Sequence, residues 1–260
     1  MYAVASTSHA THRSIIGTTL KSIAIALLAV IILAALYFGT RGFNLYHEAI
    51  ETKSLDDMAA RIHQQETFTS IDELPDLYLQ AVIAVEDHRF YAHPGFDIIA
   101  TGRALVNDIK AGAIVEGGST ITQQLAKNQY FTQEQTLERK VAEVFMAFTM
   151  EQHFSKRQIL ELYVNSIYFG DGYEGIGSAS EGYFGKQPSE LTEDECVMLA
   201  GIPNAPSVYA PTVNPELARQ RQNEVLRKLV TYDSLDHTRA MNIASRPTIQ
   251  NLVTPVSKAA

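Results

Sequence analysis

The sequence predicts a mainly α-helical domain behind a single N-terminal transmembrane helix. Residues 23–38 contain no polar side chain except the Tyr37 hydroxyl, and apolar residues farther along recur at helical spacing. Runs that alternate β-branched and polar residues, which would predict strands, are absent from the sequence. The 260 residues, 46% of them hydrophobic, are enough to bury a core, and a net charge of −8 disfavours a nucleic-acid-binding protein. The single cysteine, Cys196, excludes a disulfide scaffold and a cysteine-rich zinc site.

The apolar segment is long enough to cross a bilayer. Residues 22–40, between Lys21 and Arg41, are uncharged, and a membrane-spanning helix needs about 20 residues. A cleaved signal peptide is the alternative, but its apolar region is usually shorter and ends in small residues, whereas this run ends in Leu36, Tyr37 and Phe38. A buried core helix is a further alternative. The basic residues before the span favour an inside N-terminus and an exported C-terminal domain.

Composition and turn signals divide the chain into five parts. We expect a short cytoplasmic tail (1–21), a transmembrane anchor (22–40), a helical stalk (41–65), a main domain (66–232) and a C-terminal tail (233–260). Helices are predicted over residues 72–87, 97–110, 120–129 with Ser119 as its cap, 133–153, 155–167, 192–201 and 214–232. A looping region with a short helix is expected at 170–185, and a long loop at 203–215.

The first stretch that could carry chemistry follows the helix that begins near Pro75. Glu86 and Asp87 stand at the predicted C-terminus of that helix, where the partial negative charge should raise the pKa of a carboxyl. A carboxyl with a raised pKa is suited to act as a general base near neutral pH. The alternative is that Glu86 and Asp87 pair with His88 or Arg89 at the surface.

A glycine-rich turn precedes the next candidate helix. Gly117 and Gly118 lead into a helix N-terminus, which attracts anions through its free N–H groups. Thr120, Gln124 and Lys127 follow on one face, and a hydroxyl, an amide and an ammonium in a row suit a pyrophosphate. A capped surface helix is the competing interpretation, and the Walker phosphate-binding sequence is absent.

Two later stretches carry weaker signals. Arg139 and Glu143 share a helix face, where a surface ion pair is the favoured interpretation from spacing alone. Asn165 stands out in an otherwise amphipathic helix. The basic residues of the helix predicted at 214–232, Arg221, Arg227 and Lys228, are expected to form a solvated face. No recognised metal-binding motif occurs in the sequence.

Together these stretches resemble the ordered motifs of the peptidoglycan glycosyltransferases, glycosyltransferase family 51. The resemblance covers about residues 66–232, and its most specific part is the ungapped run from Gly117 to Asn128. It implies a lysozyme-like, mainly helical fold that polymerises lipid II, a disaccharide-peptide carried on undecaprenyl pyrophosphate. It also implies a bacterial membrane location with the catalytic domain outside, and as partners lipid II, the nascent strand, the membrane and other cell-wall synthesis proteins, without nucleic acid.

The resemblance assigns roles to individual residues. Glu86 corresponds to the general base that deprotonates the acceptor 4-hydroxyl, and Glu143 to the glutamate that assists the departing pyrophosphate, directly or through Mg²⁺ or Mn²⁺. No organic cofactor is expected. The residues implied in substrate binding or in support of the cleft are Asp87, Phe90, His93, Ser119, Thr120, Gln123, Gln124, Lys127, Asn128, Arg139, Lys140 and Asn165.

The sequence departs from the family pattern at two positions. Gln222 stands where a second arginine is usual, and Asn204 where many members have lysine, so cleft contacts there are in doubt. The apolar Ile98, Ile99, Ile114 and Val115 fall in the family's membrane-touching region, though they could also be ordinary core.

Three further possibilities concern the activity. The absence of Ser-x-x-Lys and Lys-Thr-Gly predicts no transpeptidase activity, as in the monofunctional branch. The rival functions are a lysozyme-like hydrolase or lytic transglycosylase and an inactive membrane-anchored scaffold. The row of Thr120, Gln124 and Lys127, together with Arg139, argues against the first rival. The presence of both glutamates argues against the second.

Overall fold

The computed structural model describes residues 7–113, 117–132 and 134–253. Within these residues the helices are α1 (Thr7–Thr52), α2 (Leu55–His63), α3 (Asp76–Glu86), α4 (Ile98–Ala111), α5 (Ile121–Tyr130), α6 (Leu137–His153), α7 (Lys156–Val164), α8 (Gly175–Phe184), α9 (Glu193–Gly201), α10 (Pro206–Tyr209), α11 (Pro215–Thr231) and α12 (His237–Ala244). The described residues contain no strand beyond an isolated bridge between Tyr168 and Glu174. The prediction of a mainly helical fold is confirmed.

Helix α1 contains the apolar segment and continues beyond it. Its Lys21–Thr52 part is long and apolar enough to cross a membrane, with a mean hydropathy of 2.6 and none of its most apolar stretch buried. The predicted stalk does not stand apart from the domain. Gly42 and Phe43 of α1 contact Val141 and Phe145 of α6, and the buried Met58 of α2 belongs to the main core.

Helix α3 lies at the centre of the domain. It packs against α9 and α11, while α5 packs against α6 and α7. The core-facing residues Tyr78, Ala81 and Val82 of α3 are essentially inaccessible to solvent. This packing brings the end of α3, the start of α5 and one face of α11 to a common surface, where the main cleft is found.

Several helix boundaries agree with their sequence signals. Asp97 caps α4 through the backbone N–H groups of Ile99 and Ala100, and Gly112 ends it in the left-handed conformation with φ of 64°. Ser155 and Thr192 form the predicted capping boxes of α7 and α9.

Other boundaries were predicted wrongly. Thr120, not Ser119, caps α5, because the Thr120 and Gln123 side chains bond reciprocally to each other's backbone N–H groups. Helix α6 begins only at Leu137, after the cap Thr136, and Gln133 lies outside the described residues. Helix α7 ends at Val164, since the Asn165 side chain bonds to the carbonyls of Thr69 and Glu161.

The C-terminal part is more ordered than predicted. The expected loop at 203–215 contains α10, and α11 is not the last helix because α12 follows it. Leu235, Ala240 and Ile243 bury their side chains in the core, so the segment after α11 packs on the domain as far as it is described. The last seven residues, 254–260, lie outside the described residues.

Candidate active site

The main cleft is a cavity of about 720 Å³ where α3, α5 and α11 meet. Five residues singled out by the sequence line it: Glu86, Asp87, Ser119, Gln124 and Lys127. It is also lined by Asn204, whose cleft contacts the sequence left in doubt. Further lining residues were not among the predicted site residues, among them His88, Arg103, Arg221, Lys228 and Tyr232. The lining is mostly polar and charged, as expected of a site for an ionic substrate.

Glu86 lies at the base of this cleft. Glu86 is the last residue of α3, and its side chain is only 6% exposed. One carboxylate oxygen, Oε2, accepts a hydrogen bond from Gln124 Nε2 at 2.8 Å. The other, Oε1, is buried and has no hydrogen-bond partner among the described residues; the Arg221 guanidinium lies 4.0 Å away. A buried oxygen that lacks a protein donor is available to a substrate hydroxyl.

The pKa of Glu86 is raised above its ordinary value, mainly because burial disfavours the charged form. The Gln124 hydrogen bond, Arg221 and Lys127 oppose this rise, while Asp87 adds to it. The direction agrees with the prediction from the sequence, but the cause differs from the predicted helix-terminus effect. The alternative of a surface pair with His88 or Arg89 is wrong, because Arg89 pairs with Asp97, 2.9 Å away.

The orientation of the Gln124 amide is set by a third residue. Tyr163, fully buried on α7, donates its hydroxyl to Gln124 Oε1 at 3.3 Å. The amide therefore presents its Nε2 group to Glu86. Because Gln124 can donate to Glu86 only in this orientation, Tyr163 acts on the carboxylate through Gln124.

Lys127 lies one turn after Gln124 and supplies a cation to the main cleft. Its ammonium has no hydrogen bond or ion pair with any residue that the structure describes. Burial lowers the pKa of Lys127; Glu143 raises it, and Arg139 and Lys140 lower it further. A partly desolvated ammonium without a protein partner is suited to bind an anion.

Glu143 is held between two cations on α6. Its oxygens lie 3.2 Å from Arg139 Nε and 2.7 Å from Lys140 Nζ, and its side chain is 2% exposed. Arg139 and Glu143 thus form a buried pair instead of the favoured surface pair. Lys140 also donates to Ser119 Oγ at 2.7 Å, which ties this cluster to the edge of the main cleft.

Asp87 has a structural role at the base of the site. Its carboxylate accepts hydrogen bonds from His93 Nε2 at 2.9 Å and from the Ile121 backbone N–H at 3.1 Å. The Gly95 N–H donates to His93 Nδ1, so the imidazole has its proton on Nε2, facing Asp87. These bonds fasten the turn after α3 to the first residue of α5, and so set Glu86 against Gln124.

Four more predicted site residues lie behind the main cleft. Thr120 and Gln123 are buried in the cap of α5, and the Thr120 hydroxyl donates to the Gly95 carbonyl at 2.6 Å. Phe90 is fully buried beneath Lys156, and Asn165 bonds to the Thr69 backbone. Asn128 lies farther along α5, outside the main cleft, and lines two neighbouring depressions.

Arg221 was expected to lie on a solvated basic face, and its place in the site was not predicted. Its side chain is 13% exposed, its Nε donates to the Gly201 carbonyl at 3.2 Å, and it approaches Glu86. The family motif that contains Arg221 was the available signal. Lys228 and Arg103 line the main cleft beyond His88, whose ring stacks on Tyr232 with centroids 4.2 Å apart. Cationic groups near Lys127 and near His88 therefore line the same cleft as Glu86.

The two departures from the family pattern have different consequences. Gln222 is buried away from the main cleft, where its amide donates to the Asp194 carbonyl at 2.8 Å and to Thr248 Oγ1 at 3.0 Å. Gln222 itself therefore makes no contact in the main cleft. Asn204 does line the main cleft, so a polar amide stands there in place of a cation.

The residues present do not favour a divalent metal ion at Glu143. Both of its oxygens already face cations, and a metal ion would have to displace Arg139 and Lys140 or be repelled by them. Asp87, His93 and Asp97 form a buried group whose ligand atoms lie within 4.8 Å of one another. Hydrogen bonds and the Arg89 pair already engage these atoms.

The structure is a mainly helical domain behind an apolar helix, with a buried carboxylate and several cations lining one cleft. Residues 52–230 match the family model described as Transglycosylase, so the chain belongs to the transglycosylase family. The resemblance to the peptidoglycan glycosyltransferases is thereby confirmed.

Individual relatives are similar over about two thirds of the chain. Penicillin-binding protein 1A of Aquifex aeolicus is 47% identical over 167 residues, which are 64% of this chain and 23% of that protein. Penicillin-binding protein 1F of Bacillus subtilis is 46% identical over 171 residues, 66% of this chain and 24% of that protein. The chain thus spans about a quarter of the length of these relatives.

A solved structure, penicillin-binding protein 1A from Haemophilus influenzae, aligns with a TM-score of 0.42 at 20% identity. That alignment covers 69% of this chain and 17% of the other. The family assignment does not depend on it.

Proposed function

We propose that this protein polymerises lipid II into glycan strands of peptidoglycan. The observation that carries the proposal is the buried carboxylate of Glu86 in one cleft with two cationic regions. Lys127 lies near the Arg139–Lys140–Glu143 cluster, and Arg103 and Lys228 lie near His88. Two substrates that each carry a pyrophosphate would meet at Glu86 in such a cleft.

The chemistry assigned to each group follows from this arrangement. Glu86 removes the proton of the acceptor 4-hydroxyl as that oxygen bonds to the anomeric carbon of the donor sugar. The bond from that carbon to the lipid pyrophosphate breaks, and the pyrophosphate departs with the electron pair. Lys127, with Arg139 and Lys140 nearby, stabilises the negative charge that develops on the leaving group. No step is assigned to a metal ion.

The membrane helix fits a substrate that is itself anchored in the membrane. We place the catalytic domain on the outer side of the bacterial membrane, since the basic residues before the span favour an inside N-terminus. We also expect no transpeptidase activity, because the sequence contains no Ser-x-x-Lys. A labelled penicillin that becomes covalently attached to the purified protein would contradict this second expectation.

The decisive experiment offers labelled lipid II to the purified full chain. The wild type should make long glycan strands, and Glu86→Gln should lower the rate by about 100-fold or more, as expected for loss of a general base. Glu73→Gln is the matched control, because Glu73 is exposed and lies outside the main cleft. Circular dichroism and thermal unfolding show whether each variant folds.

The same assay separates the rival functions. A lysozyme-like hydrolase would use the raised-pKa carboxyl of Glu86 as an acid and would shorten finished strands without making them. An inactive scaffold would show no turnover with either substrate. Normal polymerisation by Glu86→Gln would refute the role assigned to Glu86.

A further inference from the structure

A second cavity, here called the side cavity, lies beyond the end of the main cleft. It has a volume of about 530 Å³ and is formed where α1 meets α2, beside the C-terminal end of α5 and the turn after α7. The lining residues that matter here are Lys53, Arg61, Asn128, Gln129, Tyr168 and Glu174. The function proposed above assigns it no role.

The side cavity and the main cleft are neighbours, linked by residues that line a groove between them. A smaller groove of about 280 Å³ shares Gln124, Lys127 and Asn204 with the main cleft. The same groove shares Asn128 and Tyr168 with the side cavity. The path therefore runs from Glu86 past Lys127, on the side where the leaving pyrophosphate would be held. A polymer attached to that pyrophosphate could extend along α5 toward the side cavity.

Two cations converge in the side cavity. The Lys53 ammonium donates to the Gln129 backbone carbonyl. The Arg61 Nη2 atom lies 3.5 Å from Gln129 Oε1. Neither cation has an ion-pair partner among the described residues; Glu174, the acid in the lining, is exposed and pairs with neither. Burial and the nearby Arg61 charge lower the pKa of Lys53 to about 8. An anion bound between Lys53 and Arg61 would relieve their repulsion.

The position of the side cavity argues for a wall polymer over a membrane lipid. From the end of the predicted span at residue 40 to residue 52, α1 rises by roughly 18 Å. With a span that ends at residue 40, this length of helix separates Lys53 from the hydrocarbon core of the membrane. The 44% exposed Tyr168 ring and the Asn128 amide offer a surface for a sugar, and the cations suit a carboxylate.

We propose that the side cavity is a subsite for the carboxylate groups of the nascent strand, several sugars away from the bond being formed. This rests on the proposed function, because the strand is the product of that reaction and its stem peptides carry the carboxylates. A strand held at a second point stays bound between successive additions, so the subsite would lengthen the strands made in one encounter.

The test compares Lys53→Gln/Arg61→Gln with Arg157→Gln/Arg239→Gln. The control removes the same charge from cations that are 55% and 53% exposed and lie outside both cavities. With labelled lipid II we expect the side-cavity variant to make strands several-fold shorter than wild type, and the control to match wild type. With lipid II whose stem-peptide carboxylates are amidated, we expect wild type and variant to make equally short strands. Unchanged strand length in the variant, or further shortening with the amidated substrate, would overturn the proposal.

A binding measurement keeps this test separate from the polymerase activity. A soluble disaccharide-peptide with free carboxylates should bind the side-cavity variant at least five-fold more weakly than wild type, as measured by calorimetry. Equal binding refutes the subsite, and so does a loss of binding only to phosphatidylglycerol vesicles, which would assign the cations to lipid. If wild type makes no strand but binds the disaccharide-peptide at least five-fold more tightly than the side-cavity variant, the proposed function fails and the side cavity remains a binding site for such a peptide.

Discussion

Gln124 tunes the carboxyl on which the proposed reaction depends. Its amide donates to Glu86 Oε2, and this hydrogen bond opposes the rise in pKa that burial causes. Only the carboxylate form of Glu86 can accept the proton of a hydroxyl. The rate of strand synthesis should therefore rise with pH as Glu86 ionises, with a midpoint above the ordinary value for a glutamate.

Gln124→Ala should move that midpoint to higher pH. The variant lacks the hydrogen bond that stabilises the charged form, so a higher pH is needed to ionise Glu86. The initial rate with lipid II, measured as a function of pH, checks this. Gln80→Ala removes an exposed amide from α3 and should leave the midpoint unchanged. An identical midpoint in Gln124→Ala and wild type would show that the hydrogen bond does not tune Glu86.

The raised pKa of Glu86 also has a consequence for stability. A group whose folded pKa lies above its unfolded value stabilises the fold fully below the unfolded pKa, and this contribution is lost as pH rises through the folded pKa. Glu86→Gln cannot ionise, so it should unfold at a higher temperature than wild type on the alkaline side. The difference should shrink at acid pH. Thermal unfolding across pH measures this; Glu73→Gln should follow wild type, and a lower melting temperature for Glu86→Gln at every pH would contradict the argument.

At the scale of single helices, α1 and α6 form the contact that joins the anchor to the candidate site. A Cβ added at Gly42 would lie 2.6 Å from Val141 side-chain atoms and 2.8 Å from the Glu138 carbonyl oxygen. Helix α6 carries Arg139, Lys140 and Glu143. The distance between α1 and α6 therefore affects the position of these three side chains in the site.

Gly42→Ala should push α1 and α6 apart, lower the stability by about 1–3 kcal/mol and reduce the rate of strand synthesis. Gly39→Ala is the matched control, since a Cβ there meets nothing within 4 Å. Adding Val141→Ala to Gly42→Ala removes only the contact with Val141 Cγ1, because Cβ and the Glu138 carbonyl oxygen stay in place, so it should recover little of either quantity. Thermal unfolding and the lipid II assay measure them; equal behaviour of the two alanine variants would show that the contact is unimportant.

Most helices were predictable because their ends carry local signals. The caps Asp97, Ser155 and Thr192 act through residues two or three positions away, which a sequence displays directly. The choice between Ser119 and Thr120 was not decidable in this way, because both side chains can cap. Two contacts make Thr120 the cap. Lys140 donates a hydrogen bond to Ser119, and Gln123 completes a capping box with Thr120.

At the scale of the whole molecule, the segment after α11 is part of the folded domain. Asp236 caps α12, and the apolar Ala240 and Ile243 three residues apart were the signal for it. Ile243→Ala should lower the stability by about 2–5 kcal/mol, because its side chain is fully buried. Met241→Ala, on the same helix and 60% exposed, should change it by less than about 0.5 kcal/mol. Thermal unfolding of the two variants measures these changes in stability. An equal loss of stability in both variants would mean that α12 does not pack as described.

The sequence by itself determined the mainly helical class, the membrane helix, the family and the residue types of the candidate site. These depend on periodicity, caps and motif spacing, which are local properties of the chain. Only the tertiary structure decided which of those residues share a cavity. It placed Thr120, Gln123 and Asn165 in the scaffold and brought Arg221 from a distant helix to Glu86. The physical reason is burial: the desolvation that raises the pKa of Glu86 comes from helices packed around it, and spacing along the chain cannot show it.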